Sequence, residues 1–210
     1  MTVYCVRKKL ALGLRFEHPS NRCQARIVPG TNSTVTGREL FAPFDPFPEQ
    51  QSATRGLPLL TMNEDGTRLA VAFDNRGTSH NSIRDSGSGR EINRIEFSGC
   101  LVDFELTADG SRIAAAFYDL EEPKDSRIGV NVWDTSTGNL VQSLPKLPYF
   151  SWNGLGRLIY RILWSPDGTR LLRQSLAREA TDNTGEYRTV IQIVDVASSG
   201  ELWQREMPGH

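Results

Sequence analysis

Asn63-Glu64-Asp65-Gly66-Thr67-Arg68-Leu69-Ala70-Val71-Ala72-Phe73 recurs as Thr107-Ala108-Asp109-Gly110-Ser111-Arg112-Ile113-Ala114-Ala115-Ala116-Phe117. It recurs again as Ser165-Pro166-Asp167-Gly168-Thr169-Arg170-Leu171-Leu172. An Asp-Gly pair between apolar runs is a strong hairpin signal, because glycine supplies the positive φ of a tight turn. Each phrase therefore joins two antiparallel strands. A second phrase follows each: Asp85-Ser86-Gly87-Ser88-Gly89, Asp134-Thr135-Ser136-Thr137-Gly138, and Asp195-Val196-Ala197-Ser198-Ser199-Gly200. A further copy stands upstream at Thr36-Gly37-Arg38-Glu39-Leu40. In these turns the aspartate can accept hydrogen bonds from nearby backbone amides.

Taking Gly37, Gly89, Gly138 and Gly200 as equivalent gives spacings of 52, 49 and 62 residues. Each period holds two hairpins, hence four antiparallel strands, and stacked units of this kind at this period read as propeller blades. No segment keeps a 3.6-residue period, so almost no helix is expected. The expected fold is all-β, a single domain over residues 1–210, with about four blades near 1–42, 57–97, 100–144 and 159–207. The first unit is worn: Leu10-Ala11-Leu12-Gly13-Leu14 aligns with Leu69 onward, but Arg7-Lys8 stands where Asp-Gly is expected.

Leu163-Trp164-Ser165-Pro166-Asp167-Gly168 and Val130-Asn131-Val132-Trp133-Asp134-Thr135-Ser136-Thr137-Gly138 resemble the tryptophan–aspartate (WD) repeat family. The resemblance implies β-propeller blades and a module for protein interactions. Trp-Asp itself occurs once, with Arg84-Asp85 and Val194-Asp195 as equivalents, and Gly-His occurs only at Gly209-His210. The buried histidine–aspartate network of regular family members is therefore incomplete. The Ser-Pro-Asp-Gly signal is shared with propellers of periplasmic translocation proteins and prolyl peptidases. Most members of the family close with about seven blades, whereas 210 residues hold four units. The expectation is an open arc or incomplete ring whose exposed blade edges favour self-association.

The 24 Lys+Arg and 25 Asp+Glu give a net charge of −1, which leaves no basic excess for a nucleic-acid footprint. Arginine dominates the basic residues, a skew that reads as a GC-rich, bacterial genome. The longest apolar run, Ile113-Ala114-Ala115-Ala116-Phe117-Tyr118, is far too short for a membrane span, and residues 10–14 are too short for a secretory signal. Cys5, Cys23 and Cys100 are odd in number and lack CxxC spacing, which predicts reduced thiols and a cytoplasmic chain. Asn32-Ser33-Thr34 is a glycosylation pattern that matters only in a secreted protein.

Alternating strand direction puts the short turns on one face of the blades and the long connections on the other. The long connections are expected at 75–82, 119–127 and 176–187, and at 43–56 and 145–157. Long loops on a rigid scaffold carry binding residues, so Phe44, Phe47, Tyr149, Phe150 and Trp152 are the candidate partner-binding aromatics. Asp65, Gly66, Asp109, Gly110, Trp133, Asp134, Gly138, Asp167 and Gly168 are structural turn residues. The charged segment around Glu121-Glu122 reads as a solvated tip.

Catalytic signatures are thin. Ser79-His80 beside Asp74 suggests a triad, but no Gly-x-Ser-x-Gly elbow exists, and His80 is expected in a solvated loop. His18 with Cys23 gives two metal ligands, which do not make a site. Ser86-Gly87-Ser88-Gly89-Arg90 resembles a phosphate loop but precedes no helix. The inner strands offer a hydrolase mainly Asp103 and Glu105. The expected function is a non-catalytic scaffold or sensor that binds protein partners through its long-loop face, with no cofactor and no metal. The alternative is a propeller hydrolase, or the propeller portion of a peptidase, with a small-ligand site near the axis.

Overall fold

The structure, a computed structural model, describes residues 2–7, 10–17, 22–29, 59–75, 78–118, 127–148, 160–178 and 187–208. β1 (Thr2–Arg7), β2 (Leu10–Glu17) and β3 (Arg22–Pro29) form a three-stranded sheet in chain order. β4 (Leu59–Met62), β5 (Arg68–Asn75), β6 (Thr78–Asp85) and β7 (Glu91–Ser98) form the second sheet. β8 (Cys100–Leu106), β9 (Arg112–Tyr118), β10 (Arg127–Asp134) and β11 (Leu140–Pro148) form the third. β12 (Arg161–Trp164), β13 (Arg170–Arg178), β14 (Tyr187–Asp195) and β15 (Glu201–Pro208) form the fourth. All pairings are antiparallel between chain neighbours. No helix occurs among the described residues, so none is long and apolar enough to cross a membrane. The sheets follow one another through their inner strands, with β1 near β4, β4 against β8, and β8 against β12, and they do not close into a ring.

Strand alternation explains how one sheet packs on two neighbours. In β9, Ile113 and Ala115 join Ala70, Ala72, Ile83, Ile95, Phe104, Leu106 and Trp133 in the core between the second and third sheets. Ala114 and Ala116 point the other way, into the core with Val130, Val132, Ile162, Leu171 and Val194 of the third and fourth sheets. The longest apolar run of the sequence is thus a strand buried on both faces, and the alanines let neighbouring sheets approach closely.

A register shift recurs just before the second turn of each four-stranded sheet, at Ile83/Arg84, Val132/Trp133 and Ile193/Val194. This bulge turns the last inner-facing residue before the aspartate. Trp133 fills that position and stacks on Phe97 of the preceding sheet, with ring centroids 5.1 Å apart and planes 25° apart. Arg84 fills it in the second sheet, where its guanidinium donates to Ser82 Oγ, the Gly89 carbonyl and Glu91 Oε2. Val194 fills it in the fourth.

Three expected connections are shorter than the sequence suggests. Residues 78–82 belong to β6, β13 continues to Arg178, and β11 continues to Pro148. Thr78-Ser79-His80-Asn81-Ser82 has loop-like composition, yet pairing with β5 on one side and β7 on the other makes it a central strand. Cys100 is a reduced thiol at the start of β8.

Candidate functional site

The short-turn face is built from one repeated device. In the first turns the aspartate collects hydrogen bonds from its own loop. Asp65 Oδ1 accepts from the Thr67 amide at 2.9 Å, Thr67 Oγ1 at 2.6 Å and Asn63 Nδ2 at 2.7 Å. Asp109 accepts from Thr107 Oγ1 at 2.6 Å and from the amide and hydroxyl of Ser111. Asp167 accepts from Ser165 Oγ at 2.6 Å and from the amide and hydroxyl of Thr169. The residue that opens each turn then receives the amide of the arginine five positions on: Arg68 to Asn63, Arg112 to Thr107 and Arg170 to Ser165. Asn, Thr and Ser are interchangeable there because each presents an oxygen one or two bonds from Cβ.

The second turns repeat the idea. Asp134 Oδ1 accepts from the amides and hydroxyls of both Ser136 and Thr137, while Asp85 and Asp195 are capped by Ser88 and Ser198. The next residue ties the two turns of a sheet together, the Thr135 amide reaching the Ser111 carbonyl and Thr135 Oγ1 the Gly110 carbonyl at 2.6 Å. The left-handed position is Gly89 (φ 71°) and Gly138 (φ 73°), but in the fourth sheet it is Ser199 (φ 56°). Ser199, not Gly200, is therefore the structural equivalent of Gly138, which corrects the spacing assumed for the last repeat. Ser199→Gly is expected to stabilise the protein by about 0.5 kcal/mol in urea unfolding. Relief of the left-handed serine outweighs the lost contact from Gln142 Nε2 to Ser199 Oγ.

These donors hold the carboxyls below the usual range. The Ser136 hydroxyl and then the Thr137 amide lower Asp134 to about 2, and the Ser165 hydroxyl and then the Thr169 amide lower Asp167 to about 2. Asp65, Asp85, Asp109 and Asp195 are shifted the same way, by Thr67, Ser88, Thr107 and Ser198 in turn. A depressed folded value contributes stability that is complete above the unfolded value, about 4, and is lost as pH falls through the folded value. The urea midpoint is accordingly expected to fall between about pH 4 and pH 2. An Asp134→Asn, Asp167→Asn double variant is expected to be weaker near neutrality and to show a flatter acid limb.

The inner strands position the carboxylates singled out from sequence. β12 is an edge strand, and its amides on the side away from β13 have no strand partner. Asp103 Oδ2 accepts from the Ile162 amide at 3.0 Å, and Glu105 Oε2 from the Trp164 amide at 2.8 Å. Trp164 Nε1 returns a bond of 3.0 Å to the Glu105 carbonyl. Both carboxylates thus lace the third sheet to the fourth. Burial raises the Asp103 carboxyl, opposed in part by the Ile162 amide and the Arg161 charge.

Behind this seam lies a polar cluster that the sequence reading passed over. Arg173 is 2% exposed and donates to the Pro145 carbonyl at 2.7 Å and to Gln192 Oε1 at 2.6 Å. Gln192 in turn donates to Glu201 and Gln204. Arg173 Nε and the buried Tyr160 hydroxyl have no hydrogen-bond partner. Burial lowers the Arg173 value and raises that of Tyr160. Its signal was available: Leu171, Arg173 and Ser175 alternate onto one face, so an arginine had to point into the sheet interface.

The triad reading fails on strand geometry. Ser79 and His80 are consecutive in β6 and so face opposite sides of the sheet. Ser79 is fully buried, donating to the Gly99 carbonyl at 2.8 Å and accepting from the Leu101 amide. His80 is a strand residue rather than a loop residue, with Nδ1 3.0 Å from Glu96 Oε1 across the β6–β7 pair. In the Ser86–Gly89 segment, Ser88 caps Asp85 and leaves no phosphate cradle. No group of three metal-ligating side chains occurs among the described residues. Phe44, Phe47, Tyr149, Phe150 and Trp152 lie outside the described residues, as do His18, Gly37, the sequon at Asn32 and the tip around Glu121. A groove of about 320 Å³ opens on the short-turn face between the Asp109 and Asp167 turns, lined by Thr107, Ser111, Arg112, Pro166 and Thr169.

No family model matches the sequence, and no curated protein matches it. Solved structures do resemble the fold. TolB from Acinetobacter baumannii is 17% identical with a TM-score of 0.53, covering 96% of this chain and 41% of its own. The Cps50 (Swd1) β-propeller domain of Myceliophteria thermophila is 14% identical with a TM-score of 0.56, covering 99% of this chain and 59% of its own. The acylaminoacyl peptidase of Pyrococcus horikoshii is 15% identical with a TM-score of 0.50, covering 72% of this chain and 25% of its own. The chain thus spans less than two thirds of the length of each. Likeness at these identities concerns architecture, and it establishes that the four sheets are blades of an unclosed β-propeller.

Proposed function

We propose that the chain is a non-catalytic, WD-repeat-like propeller module that binds protein partners through its long-loop face. The observation that carries this reading is the use of Asp103 and Glu105 as acceptors for the Ile162 and Trp164 amides. The carboxylates a hydrolase would need near the axis are committed to main-chain groups of the neighbouring blade. The Trp133-Asp134 turn, with its tryptophan buried against Phe97 and its aspartate capping Ser136 and Thr137, supports the WD-like assignment. Phe44, Phe47, Tyr149, Phe150 and Trp152 are the proposed anchors for the partner, because large, rigid aromatic side chains dominate interface energetics. The module is read as one cytoplasmic domain.

Activity profiling against ester, lactone and peptide panels tests the reading. The expected result is no turnover that co-purifies with the protein. Turnover that survives purification and falls on Asp103→Asn, in a variant that remains folded, would overturn it in favour of a propeller hydrolase. On the binding side, a Tyr149→Ala, Phe150→Ala, Trp152→Ala variant is expected to lose partners that the wild-type chain retains.

A further inference from the structure

Asp65-Gly66, Asp109-Gly110 and Asp167-Gly168 are the three Asp-Gly bonds of the chain. Aspartate before glycine is the pair most open to isomerisation, because no Cβ on the second residue shields its amide nitrogen from the first side chain. The glycine amide gives up its proton and its nitrogen attacks Cγ of the preceding aspartic acid. A C–N bond forms as the C–OH bond breaks, and one water leaves. Water then adds to either carbonyl of the resulting five-membered imide. Opening at the original main-chain carbonyl leaves the chain running through the β-carboxyl, one carbon longer, with the α-carboxylate as its side group. Nothing is oxidised or reduced, and no cofactor is needed.

In this fold both reacting groups are occupied. The amides of Gly66, Gly110 and Gly168 donate to the Asn63, Thr107 and Ser165 carbonyls at 3.2, 2.9 and 2.9 Å. Each aspartate has Oδ1 under three donors, two from the residue two positions on and one from the residue two positions back. The carboxyl must release these donors before it can turn toward the glycine nitrogen. The same donors keep it ionised near neutrality, and a carboxylate oxygen does not leave as water. A lengthened main chain also has no room in the third sheet, where a Cβ added at Gly110 would already stand 2.5 Å from Arg68 Cγ. The neighbouring turn is tied to that place by the Glu64 amide, which donates to the Ala108 carbonyl at 3.1 Å.

We propose that Asp65, Asp109 and Asp167 are isomerisation sites that the turn hydrogen bonds hold shut, so that isoaspartate forms in this protein only when a turn opens. The rate in the folded chain is then the open fraction multiplied by the rate in the unfolded chain. Each hydrogen bond to a charged group shifts the closed-to-open ratio by a factor of about ten. Two of the three donors in each turn are side-chain groups, so one turn can be loosened while the strands keep their pairing. The inference is independent of what the module binds.

Ageing the full chain at neutral pH tests this, with isoaspartate counted at each site by peptide chromatography and electron-transfer fragmentation. Trypsin delivers the three sites in separate peptides that end at Arg68, Arg112 and Arg170. In the folded chain all three are expected to isomerise at least about tenfold more slowly than in the chain unfolded in guanidinium chloride. A Ser165→Ala, Thr169→Val variant removes two of the three donors of Asp167. It is expected to speed isomerisation at Asp167 by about tenfold or more, with Asp65 and Asp109 unchanged as reporters, in the same molecule, that the rest is folded. Thr67→Val is the reciprocal variant and is expected to act at Asp65 alone. Equal rates in the folded and unfolded chains, no acceleration at the altered turn, or acceleration that in neither variant is confined to the altered turn would each overturn the proposal.

Discussion

Trp133→Ala is expected to lower the free energy of unfolding by about 3–5 kcal/mol, as for other buried aromatic truncations. Trp133 is 5% exposed, sits in the core between the second and third sheets and stacks on Phe97, which itself packs on Phe117. Removing the indole empties a space bordered by rigid strands on both sides, which collapse poorly into a cavity. The loss is a large share of the roughly 5–15 kcal/mol that holds a domain folded. The same position carries Arg84 in the second sheet and Val194 in the fourth. Trp133→Val is accordingly expected to cost less than Trp133→Ala when both are compared by urea unfolding. Equal losses from the two variants would show that the stack on Phe97, not the filled volume, sets the effect.

Asn81→Val is expected to stabilise the protein by about 2 kcal/mol, a rise of about 4–8 °C in Tm. Asn81 is fully buried in β6, and neither its carbonyl oxygen nor its amide nitrogen has a hydrogen-bond partner. A buried polar group left unpaired carries its full desolvation penalty. The register shows what the site accepts: Asn81 lies opposite Ala72 as Val130 lies opposite Ala116, and Val130 is fully buried. Asn81→Asp, which places a charge there, is expected to destabilise. Thermal melts of the three proteins give the order Val above wild type above Asp. A drop in Tm for Asn81→Val would mean that an unseen partner satisfies the amide.

The repeated Asp-Gly phrases made the hairpins legible, because their cages use only residues within five positions of one another, and such local geometry is written in adjacent side chains. The bulge before the second turn and the equivalence of Ser199 with Gly138 were not legible. The turn Asp195-Val196-Ala197-Ser198-Ser199-Gly200 is as long as the other two, but its glycine stands one place past the left-handed position, so Gly200 looks like the turn glycine although φ assigns that place to Ser199. The polar run at 78–82 reads as a loop for the same reason that Asn81 is costly: its strand conformation is imposed by both neighbours, not by its own preferences. Asp103 and Glu105 stood out as the inner-strand carboxylates, but nothing local shows their partners, which lie 59 residues along the chain. Long-range pairing of a side chain with the main chain of another blade leaves no signature in spacing.

These carboxylates hold the third blade to the fourth. Amide hydrogen exchange at Ile162 and Trp164 reads it directly, since β12 is an edge strand whose outward amides would otherwise face solvent. Strong protection at both amides in the wild-type chain is predicted, with selective loss at Ile162 in Asp103→Asn and at Trp164 in Glu105→Ala while β13 and β14 stay protected. Fast exchange at both amides in the wild-type chain, or protection unchanged by either substitution, would contradict it.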